Sequence, residues 1–214
     1  MESTHIAAAA ISVTRVVGVS MSSVVEVLRS LADSDDTTFV LSRELALVRY
    51  NRAWTRFAGE NGGLDLLARF GRGCSIMSAV PEVLRPFYKQ GYAHAWASAA
   101  RWEHDYECSS PDRRRRFRML VYPIDQAFLV VVNAVIEDVA HDREVSSPDE
   151  SRYVSDGIIS MCSNCRRVRN RYGEQRWDWV PAFVAHPPRN LSHGICGACA
   201  PLYYVAEDPD GGSP

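Results

Sequence analysis

The residues best placed to do chemistry are four of the chain's six cysteines. They stand in two hooks, Met161-Cys162-Ser163-Asn164-Cys165 and Ser192-His193-Gly194-Ile195-Cys196-Gly197-Ala198-Cys199, with 30 residues between the inner cysteines. A Cys-x-x-Cys turn aims two sulfurs at one point, and two such turns complete a tetrahedron around Zn²⁺. Thiolate is a soft ligand, and zinc imposes no geometry of its own through d-electrons, so four sulfurs are sufficient. The expected metal ligands are therefore Cys162, Cys165, Cys196 and Cys199. His193 and Arg166 are expected beside them, His193 also being able to replace one cysteine as ligand. Two other chemistries use the same residues: a redox switch built on two dithiols, and buried free cysteines serving as packing.

Between the hooks, Trp177, Trp179, Phe183 and Val184 supply a core too small to stand without a staple, so metal binding there would be folding energy. Arg166, Arg167, Arg169 and Arg171 have two readings. Four thiolates around one Zn²⁺ carry a formal charge of −2, which nearby guanidinium groups offset. The same arginines could instead meet phosphates, which would make the module a DNA contact in a one-component transcription regulator.

The rest of the chain must position this module. A length of 214 residues holds one domain of common size and a smaller one. A net charge of −2 exerts no overall pull toward nucleic acid or anionic lipid. Cysteine in Cys-x-x-Cys pairs points to a reducing, cytoplasmic setting and not to a disulfide scaffold. Ala7 to Val19 is apolar but broken by Arg15 and preceded by no basic segment, so neither a secretory signal nor a membrane span is expected. Residues 1–21 are expected as a flexible extension and 206–214 as a disordered tail, with Met21 an alternative start.

In chain order, Ser22 to Leu31 has the apolar stripe of a short helix. Thr38–Leu41 and Leu45–Tyr50 read as a hairpin turning at Ser42-Arg43-Glu44. Asn51 then caps a helix that carries Trp54, Phe57 and Ala58 on one face and stops at Gly62-Gly63. Pro81 to Ala100 reads as one long helix, with Pro86 forcing a kink or a restart. His94 points away from the apolar face of that helix, which argues against an iron ligand there. Strands are expected over Arg101–Cys108, Arg114–Pro123 and Phe128–Val135. Residues 141–156 are polar and read as a linker.

Arg113-Arg114-Arg115-Arg116 looks like a nucleic-acid patch until a hairpin register is tried. With Ser109 to Asp112 as the loop, Glu107 faces Arg114, Asp105 faces Arg116 and Glu103 faces Arg118. The run then becomes an ion-paired outer sheet face. The opposite face carries Trp102, His104, Tyr106 and Cys108 toward the core.

Val48-Arg49-Tyr50-Asn51-Arg52-Ala53-Trp54 within this order of elements resembles the opening of a PAS domain, and the similarity extends over about residues 37–137. The resemblance implies an α+β fold: a five-stranded antiparallel sheet with helices on one face. It also implies either a ligand held between sheet and helices or a partner docked on the opposite sheet face. The pocket residues would be Trp54, Phe57, Trp102, His104, Tyr106 and Phe117, unless these aromatics simply fill their own interior. Apolar residues on both faces of 128–132 call for a cover, either the helix at 22–31 or a second copy in a homodimer. The two hooks and the Trp, Val-x-x-Phe-Val and Ser-His-Gly-Ile-Cys segments resemble a small C-terminal module of bacterial signalling proteins. There the second hook commonly reads Cys-Pro-x-Cys, and Gly197 stands in place of that proline. The organisation expected is thus a PAS-like sensor or interaction domain over 22–140, a linker over 141–156 and a zinc-type module over 157–205. Such a bacterial protein would signal through other proteins and carry no catalytic output.

Overall fold

A computed structural model of the chain describes residues 25, 26, 29, 31–60, 71–173 and 175–204. The expected extension at 1–21, most of the expected helix at 22–31, the Gly62-Gly63 stop and the tail at 206–214 lie outside them.

The first half is a five-stranded antiparallel sheet in the order β2-β1-β5-β4-β3. Its strands are β1 (Thr37–Ser42), β2 (Leu47–Tyr50), β3 (Trp102–Glu107), β4 (Arg113–Ile124) and β5 (Phe128–Ala140). Helices α1 (Arg52–Glu60) and α2 (Arg85–Ser98) lie between β2 and β3 in the chain. One core joins α2 residues Tyr88, Tyr92 and Ala95 to the sheet residues Phe39, Leu41, Val121, Leu129 and Val131. The opposite sheet face has its own cluster around Val40, Val130 and Val132, where Leu31 packs. The α+β class expected from the sequence is the one found.

Asn51 ties the start of this half together. Its Oδ1 accepts from Trp54 N at 3.1 Å, which caps α1, and from Thr38 N at 3.1 Å. Its Nδ2 donates to Asp36 O at 2.9 Å and Leu31 O at 3.1 Å. One side chain thus satisfies groups from three segments that the backbone ladder leaves open. Pro86 acts as a restart: a 3₁₀ turn at Glu82–Leu84 ends where α2 begins, and Pro86 falls in the first turn, where its missing N–H costs nothing. His94 is exposed. Gly91 lets α2 press on β3, because a Cβ there would sit 2.4 Å from the Trp102 ring.

The β3–β4 register differs from the expectation by two residues. Asp105 faces Arg118, Glu107 faces Arg116, and Glu103 faces Leu120. The reason is a tighter turn. Ser110 N donates to Arg113 O at 3.0 Å, so only Pro111 and Asp112 form the bend, and Ser110 Oγ holds Asp112 and Arg113 N. A shift of two preserves the faces. The ion pairs accordingly change partners. Arg118 grips Asp105 at 2.7 and 2.9 Å, Arg113 meets Asp138 at 2.7 Å, and Arg114 bonds Glu137.

The second half is a small mixed sheet of β6 (Val154–Ser155), β7 (Ile158–Cys162), β8 (Val168–Arg169), β9 (Trp177–Asp178) and β10 (Leu191–Gly194), with a short helix α3 (Pro181–Ala185). Tyr153, Ile159, Met161, Val168, Val180 and Phe183 form its core. Of the aromatics expected there, Phe183 is central, while Trp177 packs on the cysteines.

Residues 141–156 are held along their length. His141 Nε2 lies 2.9 Å from Ser110 O, Ser146 N donates to Trp179 O at 2.8 Å, and Tyr153 is buried in the second core. At the other end, Tyr203 belongs to the core of the first half, and Tyr204 Oη donates to Val83 O at 2.9 Å. The two halves therefore share packing on both sides of the cysteine hooks. Among the described residues no helix is long and apolar enough to cross a membrane.

His104 shows what this packing does to a titratable group. It sits against Phe87, Trp102 and Tyr203, and its Nε2 is buried without a partner. Burial pushes its pKa down to about 4. The unfolded chain then binds the proton between about pH 6.5 and about 4 while the folded chain does not, so stability falls as pH drops through that window. Urea denaturation at pH 7.5 and pH 5 is expected to show a larger loss of midpoint for the native chain than for His104→Phe. Equal losses would contradict it.

Candidate metal centre and adjoining cavity

Strand β7 delivers Cys162, and the turn after it delivers Cys165. Cys162 O accepts from Arg166 N at 3.1 Å, and Arg166 takes the left-handed conformation at φ 62°. Strand β10 runs parallel to β7, with Gly194 beside Cys162, and so carries the second hook alongside the first. Cys199 N and Ala200 N both donate to Cys196 O at 2.9 Å, closing that hook. All four sulfurs lie within 4.8 Å of one another, and all four residues are buried. Cys165 Sγ and Cys196 Sγ are 3.7 Å apart, and Cys196 N points at Cys162 Sγ at 3.4 Å. The arrangement is compatible with a metal site.

The electrostatics of the thiols alone point the same way. The hydrogen bond from Cys165, with others from Cys196 and Cys199, holds Cys162 well below the usual thiol range. Cys165 and Cys199 are driven upward, chiefly by their bonds to Cys162. Cys162 and Cys196 are thus held below the ordinary thiol value at the expense of Cys165 and Cys199, and four thiolates in so small a volume require a cation. A Cβ at Gly197 would meet nothing within 4 Å, so no steric constraint demands the glycine that stands in the second hook.

Asn164, between the first two cysteines, links this cluster to the five-stranded sheet. Its Nδ2 donates to Cys199 Sγ at 3.3 Å. Its Oδ1 accepts from Glu107 N at 2.8 Å and from Tyr203 Oη at 2.9 Å. Glu107 itself is paired with Arg143 through two contacts of 2.8 Å, and the two side chains are 12% and 8% exposed. Arg143 also donates to Cys165 O at 2.8 Å and lies over the Trp179 ring at 5.1 Å. The hooks are therefore bolted to the end of β3 by an amide and an ion pair.

Above that end of the sheet lies a cavity of about 390 Å³. Its floor and sides include Trp54, Phe57, Tyr106, Phe117 and Asn133 from the first half. Ser163, Arg166, His193 and Tyr203 from the second half complete it. Tyr106 Oη is fixed by Asn133 Oδ1 at 3.0 Å, and Phe57 meets Phe117 edge to face at 6.1 Å. Four of the aromatic residues named from the sequence thus meet at the cavity. Trp102 and His104 share the inward face but lie under α2, packed on Phe87 and outside the lining. Arg166 turns from the hook toward the cavity, its Nη2 3.8 Å from Cys108 Sγ. His193 lies outside the group of potential metal ligands. Asn164, Arg143 and Tyr203 are not marked as site residues by the sequence, and Glu107, expected opposite Arg114 on the outer sheet face, instead faces Arg116 and pairs with Arg143. The one signal for any of them was the Tyr203-Tyr204 pair so soon after the second hook.

No family model matches the chain, and no curated protein does. A domain of an HTR-like protein from Haloarcula marismortui is similar at 15% identity and a TM-score of 0.37, over 49% of this chain and 100% of that one. A PAS domain from a two-component sensor histidine kinase has 13% identity and a TM-score of 0.35, over 54% of this chain and 97% of its own. A sensory box sensor histidine kinase from Vibrio cholerae has 9% identity and a TM-score of 0.35, over 55% of this chain and 94% of its own.

Removing one partner of a buried ion pair leaves the other charged and unpaired, at a cost of about 3–5 kcal/mol. Arg143→Met is expected to lower stability by roughly that amount in urea denaturation of the full chain. Adding Glu107→Gln should restore part of the loss. A neutral Arg143→Met would show that the bolt carries no weight.

Proposed function

We propose that the chain is a signal-transduction protein in which a PAS-type sensory or interaction domain is closed by a structural zinc module. The observation that carries this reading is the shared cavity. Trp54, Phe57 and Phe117 line it from one half and Arg166, His193 and Tyr203 from the other, so an occupant touches both at once. A change in the cavity is then a change in how the two halves sit, which a partner protein or a second copy can read. Output passes through such contacts and not through chemistry in this chain.

Zinc fits the four cysteines. Zn–S bonds of about 2.3 Å place tetrahedral sulfurs about 3.8 Å apart. The 3.7 Å separation of Cys165 and Cys196 matches that edge, with all four sulfurs within 4.8 Å. Cys162, Cys165, Cys196 and Cys199 would hold the ion, which supplies charge neutralisation and a rigid junction. The N–H groups of Cys196 and Asn164 direct hydrogen bonds at sulfur and reduce the excess negative charge.

Metal analysis of the purified full chain tests this directly. One zinc per chain is expected, with the four hook thiols unreactive until a chelator is added. Two disulfides and no metal would overturn the zinc reading and favour a redox switch.

A further inference from the structure

The cavity has an asymmetric chemistry that specifies an occupant. Its walls are mostly apolar rings, and the charged residues of its lining are Glu107 and Arg166. Glu107 reaches the lining, but its carboxylate is already saturated by Arg143 and by Ser109 Oγ at 2.5 Å. Arg166 is different. Among the described residues no carboxylate lies within ion-pair distance of it, and its Nε is buried without an acceptor. Among the described residues, the one hydrogen bond from its guanidinium runs to the Cys108 thiol, a weak acceptor, at 3.8 Å. A guanidinium left in this state lacks the fork-shaped acceptor that suits it. Two neutral groups share the lining with it. Tyr88 lines the cavity, and burial pushes its pKa up to about 12, so its hydroxyl stays protonated. His193 is held below its ordinary value, first by burial and then by Arg166, so it adds no second fixed charge at neutral pH.

We propose that the cavity binds a small monocarboxylate with an aromatic or branched apolar body, its carboxylate on Arg166 and its body among Trp54, Phe57, Phe117 and Met119. This rests on the sensory reading above and adds the ligand's chemical class. A carboxylate gives Arg166 the acceptor that the chain withholds. A single charge balances a single guanidinium. The apolar body covers rings that water would otherwise wet, and a cavity of about 390 Å³ is large enough for a ring and a short acidic arm. Because Arg166 directly follows Cys165, such a ligand would pull on the metal hook itself.

The test uses phenylacetate, indole-3-acetate and 4-methylpentanoate with their matching primary amides, titrated calorimetrically into the zinc-loaded full chain. At least one acid is expected to bind, with its amide at least tenfold weaker. Arg166→Gln should reduce acid binding to the level of the amide while zinc content stays at the native value. Arg166→Lys should restore part of it. Amides that bind as tightly as acids, or acid binding unchanged in Arg166→Gln, would overturn the ligand class and leave the sensory reading standing. Failure of every acid and every amide to bind would overturn both.

Discussion

Asn164 is the point on which the two halves of this protein depend. One planar amide donates to a cysteine sulfur and accepts from the last residue of β3 and from a tyrosine in the core of the first half. It is buried, so none of these bonds can be exchanged for water without cost. The amide holds its position only if Cys162 and Cys165 hold theirs, since it lies in the turn between them. The geometry of the hooks is thereby transmitted to the edge of the sheet. An ion in the hooks would fix the sulfurs, the sulfurs the turn, the turn Asn164, and Asn164 the end of β3.

The remaining contacts reinforce that junction. Arg143 bonds Glu107 on one side and Cys165 O on the other, and Tyr203 packs on Phe87 and His104 while donating to Asn164. The cavity sits where these interactions converge. Its shape cannot be set by either half alone, because its lining changes owner from the aromatic floor to the roof at Arg166 and Tyr203. Small-molecule pockets occur preferentially at such junctions between packed units.

Much of this was legible in the residues. The hooks announce themselves by spacing, Asn51 by its place before a helix, and Pro86 by the restart it forces. The faces of β3 and β4 followed from alternation alone. Their register did not, because alternation is blind to a shift of two, and the deciding feature was the Ser110 hydrogen bonds that tighten the bend. Inward-facing was also not the same as cavity-lining. Trp102 and His104 point inward, yet α2 covers them, since Gly91 allows its backbone to press on the indole. The junction was the least legible part. Arg143 lies in a polar stretch with the composition of a linker, and its partner Glu107 stands 36 residues earlier. Long-range pairs of this kind leave no local pattern, so they emerge only when the chain is folded.

The four-cysteine cluster and the five-stranded sheet thus form one mechanical unit, joined through Asn164 and the Glu107–Arg143 pair. Hydrogen–deuterium exchange of the full chain with zinc bound and after chelation tests it most directly. Metal removal is expected to speed exchange in 158–204 and also in β3 and the paired start of β4, at residues 102–108 and 113–118. Faster exchange confined to 158–204, with β3 and β4 unchanged, would contradict it.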